Sequence, residues 1–310
     1  MSRGGGGPPP EAELDLDGAL TRERASVEKA LEVAVARLQP LLPEGLGPVV
    51  RHGVLAGGKR IRPILCVAAF RACGGKDDAP IQALAVSLEL IHAYSLMHDD
   101  LPCMDDADLR RGRTTPHRIW GEVTTMAAAA ALIPAAALQA WTSAEALELE
   151  PTEARGVVAT LLRAAGASGM VGGQALDLLG EERALSPREL DALHARKTGA
   201  LLAAAPTMGG RAAGAGAAVL DALGRYGREL GLAFQIADDV LDATGTAREL
   251  GKEPSDRELS KSTYVSLYGI DEARARARER ADAARDALRA AGLRAPLLDS
   301  LAEYVVRRRA

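Results

Sequence analysis

Aromatic residues make up only 3% of this 310-residue chain, with two Phe, two Trp and five Tyr. Any core must therefore be built from Ala and branched aliphatic side chains. Alternating β-branched runs are scarce as well. With Ala dominant, the chain is expected to be all-α, a single large helical bundle of about ten or more helices around a central cavity. Cysteine is limited to Cys66, Cys73 and Cys103. They have no CxxC spacing and no His partners, which excludes a zinc module, and an odd count argues against a disulfide framework. A reducing compartment is the expectation, with a cytoplasmic location. Charge of one sign is lacking too. The formal net charge is −4, and no basic patch interleaves with aromatics, so no nucleic-acid partner is expected.

Long hydrophobic runs are nearly absent. Val123 to Ser143 carries no formal charge, but it is mostly Ala and Thr, with Pro134 inside it and Gln139 near its end. Alanine is too weakly apolar to drive insertion, so a buried bundle helix is expected and no membrane span. The start of the chain, Met1 to Pro10, is Gly/Pro-rich and lacks the apolar centre of a secretory signal, and the acids from Glu11 onward fit a transit peptide poorly. Residues 1–12 are expected to be a disordered tail and 13–310 one domain, since the Gly/Ala stretch from Gly209 to Ala218 resembles an inter-helix turn rather than a linker.

What the chain does have is two acid clusters about 140 residues apart. The first is His98-Asp99-Asp100-Leu101-Pro102-Cys103-Met104-Asp105-Asp106, leading into Arg110-Arg111. The second is Phe234-Gln235-Ile236-Ala237-Asp238-Asp239-Val240-Leu241-Asp242. Carboxylates embedded in apolar runs cost free energy unless something cationic compensates them. In the second cluster Asp238 and Asp242 lie one turn apart on one helix face, with Gln235 one turn earlier. In the first, Asp99 and Asp105 are badly phased for a regular helix. Pro102 should end the helix near its preceding residue, letting the two carboxylates converge across a bend. Two such clusters suggest a shared bed for hard divalent cations, which take oxygen ligands, and a substrate that carries phosphate. Asp77-Asp78, after Gly74-Gly75-Lys76, reads instead as a surface loop.

The basic positions fit that reading. Gly57-Gly58-Lys59-Arg60-Ile61-Arg62-Pro63 sets three cations beside two glycines, just before an apolar helix. Glycine permits close backbone approach, and Arg can fork onto phosphate oxygens. Arg110-Arg111-Gly112-Arg113 follows the first acid cluster directly, so guanidinium and carboxylate–metal groups would grip one diphosphate from two sides. Lys197-Thr198-Gly199, Gly251-Lys252 and Lys261 carry little specificity one by one.

As an ordered set these residues resemble the trans (E-type) isoprenyl diphosphate synthases, the short-chain polyprenyl synthetases that include farnesyl and geranylgeranyl diphosphate synthases. The resemblance runs from about Glu28 to Tyr304. It rests on GGKRIRP at 57–63, ELIHAYSLMHDDLPCMDDADLRRG at 89–112, MVGGQALDL at 170–178, KTG at 197–199, GLAFQIADDVLD at 231–242, GK at 251–252 and KST at 261–263. It makes 13–310 a polyprenyl synthetase domain. It implies Mg2+ held by Asp99, Asp105 and Asp238, with Asp100, Asp239 and Asp242 supporting. It also implies that Arg110, Lys197, Lys252 and Lys261 contact the allylic diphosphate. Lys59, Arg62, His92 and Arg111 would hold isopentenyl diphosphate. Seven residues separate His92 from Asp99, which puts both near one helix face.

The implied chemistry is ionisation of the allylic diphosphate, attack by the double bond of isopentenyl diphosphate, and loss of a proton to the released diphosphate. Metal and cations stabilise the departing charge, and an apolar pocket shields the cation from water. Lys197, Thr198 and Gln235 are the candidate catalytic groups, the last two as dipoles facing the cation. Tyr94, five residues before the first Asp, is the position where a bulky group limits product length in the family. It favours farnesyl (C15) over geranylgeranyl (C20) product, although five residues lie about 140° out of phase with Asp99 on a helix. Ala129-Ala130 stands where many members carry Gly-Asp. A homodimer is a further family expectation. A class I terpene cyclase would leave GGKR without purpose, and a non-catalytic regulatory subunit would be expected to have lost acids from one cluster. The role of Arg307-Arg308-Arg309, helix-dipole partner or diphosphate contact, stays open.

Overall fold

The computed structural model describes residues 15–76, 78–180, 183–245 and 262–307. The Gly/Pro-rich tail, Asp77, Lys252, Lys261, Arg308 and Arg309 lie outside them.

The described chain is helical almost throughout, as its composition implies. The elements are α1 (Leu16–Leu38), a 3-10 turn (Gln39–Leu41), α2 (Leu46–Val54), α3 (Ile61–Ala72), α4 (Asp78–Asp99) and α5 (Pro116–Trp120). They continue with α6 (Glu122–Ala146), α7 (Pro151–Ala165), α8 (Met170–Gly180), α9 (Pro187–Lys197), α10 (Gly199–Ala212) and α11 (Ala217–Thr244). The chain closes with α12 (Tyr264–Tyr268), α13 (Ile270–Ala290) and α14 (Pro296–Arg307). Local signals set the ends. Asp15 accepts the Gly18 N–H at 3.0 Å and caps α1. Ser186 and Glu189 close a capping box ahead of Pro187 at the start of α9.

The core is aliphatic: Leu31, Ile64, Leu65, Leu84, Leu88, Ile91, Leu132 and Leu161 are among the fully buried side chains. Small residues then let backbones approach. A Cβ on Gly209 would sit 2.0 Å from the Cys66 carbonyl oxygen, and one on Gly227 would sit 2.4 Å from Ala203 Cα. So α3, α10 and α11 pack backbone against backbone. This corrects the expectation for Gly209 to Ala218. Gly209 and Gly210 belong to α10, because the close approach to α3 needs glycine within the helix, and only residues 213–216 form the turn. Asp78 likewise opens α4, with Pro80 tolerated in the first turn.

The long helices α4 and α11 bear the two acid clusters near their C-terminal ends, and α3 and α10 pack between them. Helix α6 packs on α4 but buries one face only. Thr125, Ala128, Ala129, Leu132, Ala136 and Ala140 face inward, whereas Val123 (75% exposed), Met126 and Leu138 face outward. By length and composition α6 would suffice to cross a membrane, and a third of its most apolar window is buried. The expected bundle helix is therefore present but covered on one side only.

A feature the sequence did not announce is a two-strand hairpin, β1 (Leu109–Arg110) and β2 (Arg113–Thr114), antiparallel with Arg110 opposite Arg113. Its central residues Arg111 (φ 54) and Gly112 (φ 72) are both left-handed, as in a type I′ turn.

Candidate active site

The first acid cluster is built by a helix end and a folded-back loop. α4 stops at Asp99, before Pro102, and the Asp105 N–H donates to the Asp99 carbonyl at 2.8 Å. The chain thus bends back on the end of α4, and the Asp105 charge acts on Asp99. Burial lifts the Asp99 carboxyl to about 6, with Lys197 opposing the shift and Asp105 adding to it. Lys197, at the end of α9, is paired with Asp177 of α8. It therefore stands between that acid and the first cluster.

Asp100 has a different role. It is 2% exposed, and its Oδ1 accepts both Nε (2.8 Å) and Nη2 (2.5 Å) of Arg110. Burial pushes its carboxyl up while the guanidinium holds it down. The structure therefore turns Asp100 toward Arg110, whose Nη2 lies 3.9 Å from Asp105.

The basic side of the site is assembled around Gly57-Gly58. Arg111 donates to the Gly57 carbonyl, and a Cβ on Gly58 (φ +131) would come within 2.6 Å of its guanidinium. Arg62 is half-buried on α3. Burial pushes it down, Glu89 holds it up, Arg111 repels it and Asp238 attracts it, so its field reaches the second acid cluster. Arg62 Nε is buried without a hydrogen-bond partner, a donor that an incoming anion would satisfy. His92 is pushed well below its ordinary range by burial and by Arg62, Arg111, Arg60 and Arg110. At neutral pH it is a neutral imidazole ringed by cations. Lys59 is exposed.

The third cation of the glycine motif, Arg60, turns inward instead. It is 3% exposed, adopts φ 52, and meets Glu28 at 2.8 Å and Glu89 at 2.5 Å. Of the four non-glycine residues at positive φ among the described residues, Arg60, Asp106 and Arg111 lie here. Strain of that kind collects at functional sites.

On the second cluster, Asp238 and Asp242 are half-buried, whereas Asp239 is 4% exposed. Asp239 accepts the Gln235 amide at 3.1 Å and the Tyr264 N–H at 2.7 Å. Thr198 Oγ1 donates to Gln235 Oε1 at 3.2 Å, so Thr198 and Gln235 do meet. Tyr94 is half-buried, edge-on to His98 with ring centroids 4.6 Å apart, and the Asp99 charge reaches its hydroxyl. Ala129 is buried and Ala130 exposed, so the second of the departing pair faces outward.

Asp177, Glu89 and Tyr264 were not singled out by sequence reasoning, and Arg60 was read only as one of three cations beside the glycines. Glu89, a lone acid in the apolar run Ser87-Leu88-Glu89-Leu90-Ile91, carried the same signal as the two clusters. The other three depend on long-range pairing. Among the described residues no three acidic, His or Cys side chains converge closely enough to form a closed metal cage.

The sequence profile of the Polyprenyl synthetase family matches residues 43–291. The chain belongs to that family. This polyprenyl synthetase is 40% identical over 288 residues to the farnesyl diphosphate synthase of Escherichia coli (strain K12), covering 90% of this chain and 96% of that one. It is 41% identical over 261 residues to geranylgeranyl pyrophosphate synthase 9, chloroplastic, of Arabidopsis thaliana, covering 82% and 71%. Among solved structures it resembles the Helicobacter pylori geranyltransferase complexed with magnesium and isoprenyl diphosphate. There the TM-score is 0.81 at 30% identity, covering 96% of this chain and 98% of that one.

Proposed function

We propose that this synthetase is a short-chain prenyltransferase that condenses isopentenyl diphosphate with dimethylallyl and geranyl diphosphates, giving farnesyl diphosphate. The observation that carries the reading is the convergence of the Asp99–Asp105 pair, Lys197 and the Arg62–Arg111–His92 group at one site, with Asp238 in the field of Arg62.

The donor set fits Mg2+. Its ligands are carboxylates alone, two walls of them rather than one closed cage. Mg2+ ordinarily binds through one or two carboxylates and completes its shell with water and substrate phosphate oxygens. Asp99 and Asp105 would hold it on one wall, and Asp238 and Asp242 on the other. When bound it supplies neutralisation of the diphosphate as the allylic C–O bond breaks.

The chain's own residues do the rest. Lys197 and Arg110 are placed to take the departing charge, each preset by a carboxylate, Asp177 and Asp100. Lys252 and Lys261 are proposed contacts on the same diphosphate. Arg62, Arg111, Lys59 and the neutral His92 orient isopentenyl diphosphate, His92 as a hydrogen-bond donor rather than a charge. Thr198 and Gln235 face the allylic cation. The liberated diphosphate takes the proton.

Tyr94 supports a C15 limit, since its packing on His98 fixes a bulky ring beside Asp99. The relative from Arabidopsis keeps C20 as the second reading. We also propose a homodimer that covers the outward face of α6, and a reducing, cytoplasmic setting consistent with three free cysteines.

The test is the product profile of purified protein with isopentenyl diphosphate, Mg2+ and dimethylallyl, geranyl or farnesyl diphosphate, read by mass spectrometry. A dominant C15 product is expected. C20 or longer would remove Tyr94 as the limit, and no condensation would replace the enzyme with a regulatory subunit.

A further inference from the structure

Asp239 and Tyr264 form a connection that the reaction scheme does not use. Tyr264 is 3% exposed on α12, and its main-chain N–H reaches Asp239 Oδ2 at 2.7 Å. Its hydroxyl donates to Asp191 on α9. Its ring stacks on His194, one turn further along α9, with centroids 5.6 Å apart and planes 28° apart. α9 then ends at Lys197, directly before Thr198. One residue therefore grips both partners of the Thr198–Gln235 pair: Gln235 through Asp239, and Thr198 through the helix that leads to it.

The chemistry of that chain is directional. Asp239 accepts at both of its oxygens, from the Tyr264 main-chain N–H at Oδ2 and from the Gln235 amide at Oδ1. The end of the Gln235 amide that faces Asp239 Oδ1, at 3.1 Å, must then be the NH2 group. Its oxygen is turned to Thr198, whose hydroxyl must donate across 3.2 Å. With its proton committed there, Thr198 has only lone pairs left for anything else it meets. We infer that Tyr264 and Asp239 are positioning residues that set the polarity of the Thr198–Gln235 pair, so that it turns oxygen lone pairs toward the allylic centre. This rests on the proposed placement of that pair, and it assigns Asp239 to the protein side of the site rather than to an ion.

The test compares Asp239→Asn, Tyr264→Phe, Asp191→Asn and Asp191→Ala with the unmodified enzyme. Readouts are kcat, KM for both substrates, the Mg2+ concentration for half-maximal rate, and the melting temperature of metal-free protein. Asp239→Asn can donate to Gln235 and lets the amide reverse. It is expected to lower kcat by about 100-fold, the scale of one lost electrostatic contact at a reacting centre. KM and Mg2+ half-saturation should move by no more than about twofold. Tyr264→Phe keeps ring and N–H and should lose about tenfold in kcat, the effect of one hydrogen bond to a charged group. Asp191→Ala should match it, whereas Asp191→Asn, which keeps an acceptor, should restore the rate.

A rise of more than about tenfold in Mg2+ half-saturation for Asp239→Asn, with kcat recovered at high Mg2+, would make it an ion ligand and overturn the inference. So would an unchanged kcat in Tyr264→Phe, or equal damage from both Asp191 variants. If Asp239→Asn does not fold, the Tyr264 and Asp191 series decides alone. An unmodified enzyme that condenses nothing would sink the underlying reading instead.

Discussion

Asp99 carries a free-energy cost in the metal-free protein, and removing its charge should therefore stabilise it. Burial moves its carboxyl from an ordinary 3.8 to about 6. An acid whose folded value lies above its unfolded one holds its proton more tightly when folded. Its contribution is fully favourable below 3.8 and is lost as pH rises through about 6. That interval, at 1.36 kcal/mol per pH unit, is about 3 kcal/mol of destabilisation at neutral pH. Asp99→Asn removes the charge at nearly constant volume but forfeits the attraction of Lys197. The expected gain at pH 7.5 without metal is therefore about 1–3 kcal/mol, several degrees in melting temperature for a chain of this size.

The assay is thermal and denaturant unfolding of both proteins in chelator at pH 7.5 and pH 4, repeated at saturating Mg2+. The advantage of Asp99→Asn should vanish by pH 4. Mg2+ should raise the melting point of the unmodified protein more than that of the variant, since a ligand stabilises only the state that binds it. His92 and His194 give pH slopes of the opposite sign, but both proteins share them and they cancel in the difference. A variant no more stable than its parent at pH 7.5, or a gap that persists at pH 4, would refute the account of Asp99 as a buried charge waiting for a cation.

Arg60→Met strands Glu89 in the core without its partner and should cost about 3–5 kcal/mol in denaturant unfolding. Gly58→Ala strains a φ of +131 and drives a methyl into the Arg111 guanidinium. It should raise KM for isopentenyl diphosphate about tenfold with little change for the allylic substrate. Gly173→Ala places a Cβ 2.1 Å from the Lys197 backbone nitrogen. It should lower stability by about 1–3 kcal/mol and reduce kcat by displacing Lys197. His194 is held near 4, below its ordinary 6.5, mainly by burial. Its contribution is complete above 6.5 and lost as pH falls toward 4. His194→Phe, which keeps the ring on Tyr264, should flatten acid unfolding across that window by up to about 3 kcal/mol.

How much of this was legible in the sequence differs residue by residue. The helical class followed from Ala content and missing strand patterns, and the end of α4 near Pro102 followed from proline geometry. The phase of Asp238, Asp242 and Gln235 needed only the helical repeat. Three things were not legible. Arg60, Lys59 and Arg62 look alike in sequence, and only the positions of Glu28 and Glu89, 32 and 29 residues away, turn Arg60 into the core. The hairpin at Arg110–Arg113 left no strand signal, because two-residue strands are too short for alternation. The glycines at 209–210 read as a turn because their local preference says turn. The contact with the α3 backbone overrides it.

The two Asp-Asp pairs are also less redundant than their spelling implies. Adjacent helical residues point about 100° apart, so two neighbouring carboxylates near a helix end cannot both face one ion. In each pair the second acid is the buried one, Asp100 at 2% and Asp239 at 4% exposure. Each accepts two N–H donors from the protein: Arg110 in one case, Gln235 and Tyr264 in the other. The first acids, Asp99 and Asp238, are the ones within the fields of Lys197 and Arg62 at the centre of the site. A doubled acid thus does two jobs from one turn of helix. One carboxylate lies in the field of a basic side chain, Lys197 or Arg62, and on the proposed function would face cation and substrate; the other holds a neighbouring guanidinium or amide. On that logic Asp100 is to Arg110 what Asp239 is to Gln235, and loss of either second acid should disorder a neighbour before it weakens metal binding.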